Sequence, residues 1–362
     1  MGARDEAKSG NTQGGGVAFR QVRRGSPTSF GAWRPGHRAH ENGPRYVLMR
    51  TSGEERDGGN PPLGGVRVLT LAVNLPGPAA ASRLCAMGAS VIKVEPPGGD
   101  PLARMCPGYY KDLRAGQKIV RLDLKDQQDR ASLDDWLGGT DLLLTASRPA
   151  ALERLGLSWP VLHESFPHLC QVAIVGHPPP EEDVPGHDLT YQARIGTLSP
   201  PGMPPVLVAD LAGAEQAVSA ALSLLFTRER GQGAGYEQVA LSEAARSFAE
   251  PLRQGLTAPG GILGGGFPGY RLYRAREGHV ALAVLEPHFW ERLLQELEVK
   301  GDRQDLERIF ETKTAEQWKE WATERDLPLA AVRSLGHDEE NEEDETAFAS
   351  VRRRTSTRGD KP

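Results

Sequence analysis

The stretch "GVRVLTLAVNLPGPAAASRLCAMGASVIKVEPPGGDP" (Gly65–Pro101) decides the fold. It opens with an apolar run suited to a strand buried on both faces. A Pro-Gly turn follows, then a helix of small residues closed by Gly88, then a second apolar strand halted by prolines. Strand, crossover helix and strand in so short a span read as a βαβ unit, which demands a parallel sheet. The alternation continues. "KIVRLDLK", "TDLLLTASRP" and "LCQVAIVG" read as strands, while "DRASLDDWLGG" and "AALERLGLSWPVLHESFP" read as helices. The expected architecture is α/β, with a doubly wound parallel-sheet domain.

Further along, "LVADLAGAEQAVSAALSLLFTRERGQG" (Leu207–Gly233) reads as a long helix with basic residues and glycine at its end. "YEQVALSEAARSFAE" reads as a strand running into a helix. A glycine-rich loop, "GGILGGG" (Gly260–Gly266), then leads to a hairpin, "GYRLYRA" and "HVALAVL", and a helix, "PHFWERLLQEL". That order indicates a smaller α+β domain. The large domain is therefore placed at residues 63–255 and the small one at 256–335. Residues 1–62 are rich in Gly, Arg, Ser and Pro without apolar periodicity and read as a disordered extension. Residues 336–362, an acidic block followed by a basic one, read as a charged disordered tail.

The formal net charge of -5 and pI near 6.0 give no general attraction to nucleic acid or an anionic membrane, so an anion site requires a local basic cluster. Three cysteines (Cys85, Cys106, Cys170) are too few and too scattered for a disulfide framework or a zinc site. They are expected to be reduced and buried. No segment reads as a membrane span or a secretory h-region, and the expected location is cytoplasmic.

Each candidate for chemistry has a plain structural alternative. Glu95 closes the second strand, where a ribose-binding acid sits in a dinucleotide-binding unit. The first turn, "NLPGPAA", lacks the glycine spacing that lets a backbone approach a pyrophosphate, which argues against a nicotinamide cofactor. Lys125 and Arg148 follow strands at their carboxyl ends and Arg154 lies in the next helix. Such cations can hold phosphates, or can be solvated surface charges. Asp210 in "VLVADLAGA" is either an acid of the site or the cap of the long helix. Glu286 in "AVLEPHFW" either reaches a site or merely precedes a helix-starting proline. His187 in "PGHDLTY" is an acid/base candidate or a structural histidine, and Asp188 is suited to capping the helix that follows.

Taken in order, "GVRVLTLAVNLPGPAAASRLCAMGASVIKVEPPGGDP", "IVRLDLK", "SRPAALERLGL", "PGHDLTYQA", "LVADLAGA", "LLFTRERGQG" and "AVLEPHFW" resemble the family III CoA-transferase (CaiB–BaiF) superfamily, which includes the α-methylacyl-CoA racemases. The resemblance covers about Leu63 to Val332. It implies a large Rossmann-like parallel-sheet domain, a smaller α+β domain and two chains threaded through each other as an interlocked homodimer, acting on acyl-CoA with no cofactor beyond the substrate's own CoA and no metal. The racemase pattern places a catalytic histidine at His187, a catalytic aspartate at Asp210 and an assisting glutamate at Glu286. CoA contacts fall on Leu122, Asp123, Leu124, Lys125, Ala146, Ser147, Arg148 and Arg154. Gly186, Asp188, Leu189, Thr190 and Tyr191 would line the acyl thioester, with His187 among them.

Two chemistries of this superfamily fit these residues, and the racemase branch is expected first. Racemisation needs two acid/base groups flanking the α-carbon of a 2-methylacyl-CoA, which His187 and Asp210 supply. CoA transfer needs Asp210 as a nucleophile forming an acyl anhydride, has no need of His187, and uses a mobile glycine-rich loop such as Gly260–Gly266. A third reading is a degenerate CoA-binding paralogue. Against the family pattern, the usual "GFGQTGP" loop is replaced by "VGHPPPEED" (Val175–Asp183), and the connection from His187 to Asp210 is short. Pro96 also stands where racemases often carry an arginine, and most of the C-terminal segment that normally returns to the large domain is missing.

Overall fold

The computed structural model describes residues 61–333. Strand β1 (Arg67–Thr70) runs into α1 (Pro76–Ala86) and β2 (Ser90–Glu95), as the opening stretch predicts. Two short helices, α2 (Leu102–Met105) and α3 (Pro107–Leu113), lead to β3 (Lys118–Arg121), α4 (Gln127–Leu137) and β4 (Leu142–Thr145). Then come α5 (Pro149–Arg154), α6 (Trp159–Ser165), β5 (Cys170–Val175), α7 (Asp188–Ile195) and the long α8 (Val208–Glu229). After β6 (Tyr236–Ala240), α9 (Leu241–Phe248) and α10 (Glu250–Arg253), the chain makes a glycine-rich turn at Ile262–Gly266. The last elements are the hairpin β7 (Tyr270–Arg274) and β8 (His279–Ala283), α11 (Pro287–Leu297), α12 (Arg303–Phe310), α13 (Ala315–Glu324) and β9 (Leu329–Ala331).

Strands β1 to β6 form one parallel sheet in the order β3-β2-β1-β4-β5-β6. This is the doubly wound order, whose direction reverses between β1 and β4 and leaves a crevice at the carboxyl ends of those strands. Side chains alternate between faces, so adjacent residues of β1 serve different cores. Val68 packs with Val91, Leu142, Val172 and residues of α1 and α8 on one face. Leu69 packs with Ile92, Leu143, Leu133, Leu137 and Leu162 on the other. The second sheet, β7-β8-β9, is antiparallel and covers its own core of Tyr273, Val280, Leu282, Leu293, Phe310 and Trp318.

Helix α8 is long and apolar enough to cross a membrane, contrary to the reading that no segment is. Its Ala209, Ala212, Ala214, Ala217, Val218 and Ala221 are instead buried against the protein, which a core helix requires. Gly213 is needed for that packing, since a Cβ there would stand 2.2 Å from Leu241 Cδ2 of α9. The cysteines are free, but only Cys170 is buried: Cys85 is partly exposed and Cys106 exposed. Cys106 lies at the junction of α2 and α3, a pair of helices not anticipated from the apolar pattern. The 1–62 extension falls outside the described residues except for Pro61 and Pro62, and the 336–362 tail falls wholly outside them.

At the carboxyl end of β2 sits a buried charged triad. Lys93, Glu95 and Asp100 are each almost inaccessible to solvent. Lys93 Nζ bonds Asp100 and lies 3.1 Å from Glu95 Oε1, and the Tyr110 hydroxyl also donates to Glu95. Burial and that hydrogen bond push the Tyr110 phenol up and keep it protonated. Asp100 Oδ1 accepts from Asn74 N (3.1 Å) and Leu102 N (2.9 Å), tying the turn after β1 to the start of α2. Glu95, the residue a dinucleotide would use, is thus committed to the interior. Removing the cation strands two buried carboxylates. Lys93→Met is expected to lower unfolding stability by about 3–5 kcal/mol in urea titration, whereas a loss below about 1 kcal/mol would mean that the triad is solvated.

Candidate active site

The crevice between β1 and β4 is a cavity of about 250 Å³, lined by the ends of three strands and by α7 and α8. The turn after β1 contributes Val73, Asn74 and Pro76. The end of β4 contributes Ala146 and Arg148, and the end of β5 Ile174, Val175 and Gly176. Glu182, Val184, Pro185, Gly186, His187, Tyr191, Asp210 and Leu241 complete it. His187 and Asp210, separated in sequence, therefore share one cleft, and Arg148 shares it with them.

The Gly-His-Asp triplet is shaped by Tyr191. A Cβ on Gly186 would lie 2.6 Å from the Tyr191 ring, so only glycine lets the chain pass there. The Tyr191 side chain is buried and edge-on to His177 at 5.1 Å. His187 is the N-cap of α7 in extended conformation, and its N–H donates to Thr190 Oγ1 at 3.1 Å. The cap geometry fixes the backbone that presents His187 at the rim.

Asp188 was expected to cap its own helix or to meet the substrate; His187 holds the cap position of α7 instead, and Asp188 is not among the residues that line the cleft. It is the first residue of α7, and its carboxylate is buried under α8. Oδ1 accepts from Ala209 N (2.7 Å) and Asp210 N (3.1 Å), while Oδ2 accepts from Gln192 Nε2 (2.6 Å). These are the second and third residues of α8, so Asp188 acts as an N-cap supplied from another helix. The alternative reading of Asp210 as that cap is thereby ruled out, because Leu207 holds the cap position and Asp210 lies in the first turn.

Asp210 is consequently free to face the cleft. Burial raises its carboxyl from 3.8 to about 6, and the nearby Asp188 charge adds to the rise. The helix N-terminus favours the anion by about 0.3–1 kcal/mol, too little to offset those two effects. Tyr191 is raised too, first by burial and then by Asp210, while Arg148 pulls it down.

The other expected contacts are dispersed. Leu122, Asp123, Leu124 and Lys125 follow β3 at the same edge of the sheet but do not line this cavity. Leu122 belongs to the core, and Asp123 is held by the local turn through Lys125 N at 3.1 Å. Arg154 is exposed at the end of α5, and neither it, Lys125 nor Arg148 makes an ion pair among the described residues. Ser147, Leu189 and Thr190 stand beside lining residues without lining the cavity themselves. Glu286 is exposed at the cap of α11, between β8 and its proline, outside the cleft of its own chain. Among the described residues, no cluster of three His, Cys, Asp or Glu side chains is placed to hold a metal.

Sequence reasoning missed Asn74 and Glu182. Asn74 has a left-handed backbone (φ 68°), which asparagine tolerates, and its place before the Pro-Gly turn was the available signal. Glu182 lies in the loop that departs from the family pattern, and nothing in its spacing marks it.

Two stability changes of opposite sign are expected. Asp188→Ala removes the acceptor of two α8 N–H groups and should lower stability by about 1–3 kcal/mol. Asp210→Asn should raise it. A carboxyl whose folded pKa lies above its unfolded value favours folding below the unfolded value, and that contribution is lost as pH rises through the folded one. The Asn variant should therefore exceed wild type by up to about 3 kcal/mol above pH 6, with the gap closing toward pH 4 in denaturant titrations. A gap independent of pH would contradict this.

Residues 63–357 match CoA-transferase family III. The cinnamoyl-CoA:phenyllactate CoA-transferase of Clostridium sporogenes is 28% identical over 337 residues, covering 79% of this chain and 81% of that protein. The succinyl-CoA:mesaconate CoA-transferase of Haloarcula hispanica is 28% identical over 272 residues, covering 65% and 67%. Among solved structures, Rv3272 of Mycobacterium tuberculosis aligns with a TM-score of 0.68 and 25% identity, over 77% of this chain and 84% of that one. A CaiB/BaiF family protein of Brucella suis shares the fold, with a TM-score of 0.63 and 20% identity over 76% and 85%. These relatives give no support to the racemase branch in particular. A parallel six-stranded sheet, a separate small antiparallel sheet and a match across nearly all described residues establish that this chain belongs to CoA-transferase family III.

Proposed function

We propose that the protein moves CoA between carboxylic acids, with Asp210 as nucleophile. The observation that carries this reading is a carboxylate raised to about 6, free of capping duty, in the switch-point cleft beside Arg148. A more basic carboxylate is a better nucleophile and remains ionised at neutral pH. Its oxygen attacks the thioester carbonyl, the CoA thiolate leaves, and an acyl–aspartyl anhydride forms. The thiolate then attacks the aspartyl carbonyl, releasing the first acid and leaving CoA on Asp210 as a thioester. The second acid attacks that thioester to form a new anhydride, and the thiolate takes the new acyl group and restores Asp210. Arg148 is the cation of the cleft suited to holding the CoA or the departing carboxylate. The named relatives favour this branch, because those whose names state a reaction are CoA-transferases.

Racemisation of a 2-methylacyl-CoA stands as the second reading, because His187 lines the same cleft as Asp210. The interlocked homodimer is also part of the proposal. It is supported by the exposed apolar side chains Phe226, Phe248 and Leu272, which a second copy would bury.

One experiment separates the two chemistries. With an acyl-CoA donor and hydroxylamine, wild type is expected to yield a hydroxamate on Asp210, seen by peptide mass spectrometry. Asp210→Ala should yield none and lose transfer by about 10³-fold or more. Solvent deuterium entering the α-carbon of a 2-methylacyl-CoA, with no adduct and a strict need for His187, would overturn transfer in favour of racemisation. The transfer rate should fall below about pH 6 as Asp210 protonates.

A further inference from the structure

The cleft holds a second acid that the transfer chemistry does not use. Glu182 lines it alongside Gly186, His187 and Asp210, on the loop between β5 and α7. Its Oε2 is buried and makes no hydrogen bond to any described residue, and Glu182 forms no ion pair among them. Its charge is felt nearby, since it adds to the burial that raises Tyr236, whose hydroxyl is directed to Gln238 (3.4 Å). A buried carboxyl oxygen without a donor is unfavourable.

We infer that Glu182 determines acyl specificity: it accepts a hydrogen bond from a hydroxyl on the acyl chain of the substrate and repels a second carboxylate. The inference rests on the reading of this cleft as the acyl site. Two physical terms act in the same direction. Glu182 lines the cleft without an ion-pair partner among the described residues, and a hydroxylated chain entering it supplies that carboxylate with a donor; a charge-assisted hydrogen bond of this kind is strong. A dicarboxylic chain instead brings a second negative charge into a cleft that already contains Asp210 and Glu182, with Asp188 beneath. Arg148 is the one cation among the lining residues, and the departing carboxylate or the CoA competes for it. The loop bearing Glu182 is also the segment where the chain leaves the family pattern, as "VGHPPPEED" (Val175–Asp183). A change of residues in the cleft wall, with the nucleophile retained, is what altered acyl selection requires.

The test uses three CoA thioesters of equal carbon number: butyryl-CoA, 3-hydroxybutyryl-CoA and succinyl-CoA. Their dissociation constants are measured by calorimetry on the full chain, with CoA transfer assayed in parallel. For wild type, 3-hydroxybutyryl-CoA should bind about 10-fold tighter than butyryl-CoA, and succinyl-CoA about 10-fold weaker. Glu182→Gln should remove most of the penalty on succinyl-CoA, and Glu182→Ala should also remove the preference for the hydroxyl. Glu182→Asp should keep the order of the three. Equal binding of all three esters to wild type would overturn the inference. So would a uniform loss across the esters in the Gln variant, which a merely structural role produces. If the wild-type order holds but no CoA is transferred, the specificity assignment stands and the transferase reading falls.

Discussion

The geometry of the candidate site depends on the carboxylate of Asp188 meeting the start of α8. A helix begins with N–H groups that have no partner of their own, and burying them unsatisfied is costly. Here the partner comes from α7, through bonds of 2.7 and 3.1 Å to Ala209 and Asp210. Because the cap is supplied from outside, the acid inside the first turn is spared that duty. One interaction thus anchors α7 to α8, positions His187 and Tyr191, and presents Asp210 to the crevice. It also sets Asp210's chemistry, since the neighbouring charge helps hold its proton affinity above that of an ordinary aspartate.

The parallel sheet supplies the frame around that contact. The reversal of direction between β1 and β4 opens a crevice at the strand ends, and the turns after β1, β4 and β5 line it. The buried Lys93–Glu95–Asp100 triad stiffens one wall. Asp100 fixes the Asn74 amide at 3.1 Å, and the left-handed Asn74 turns the chain along the cavity into α1. A polar cluster this deep is not the cheapest way to fill a core, since apolar packing is often as stable. Its geometric result is a fixed turn at the mouth of the site.

Much of the architecture was legible because the apolar runs of "GVRVLTLAV" and "SVIKVE" are long, and proline and glycine punctuate them. The six strands of the large sheet and the long helix fall where those patterns put them. Helices α2 and α3 were not legible, because "PLARMCPGYYKDL" (Pro101–Leu113) has neither a clean apolar stripe nor a length that forces a helix. The site was legible in part. Asp210 and His187 stand out as chemistry-bearing residues near helix starts, yet local sequence cannot say which acid caps α8, because Asp188 reaches it across a long separation. Glu286 illustrates the same limit: its motif is plain, but within one chain it lies away from the cleft. Glu182 was invisible, since a glutamate in a polar loop carries no pattern that distinguishes a cavity wall from solvent.

The central claim is that Asp188 caps α8 and so leaves Asp210 a free, elevated acid. Carbon-13 NMR of the aspartate side-chain carboxyls, recorded across pH, reads this directly. Asp210, assigned by its loss in Asp210→Asn, should titrate near 6 in wild type and at lower pH in Asp188→Asn, where the neighbouring charge is gone. An Asp210 that titrates near 4 in both proteins would contradict the account.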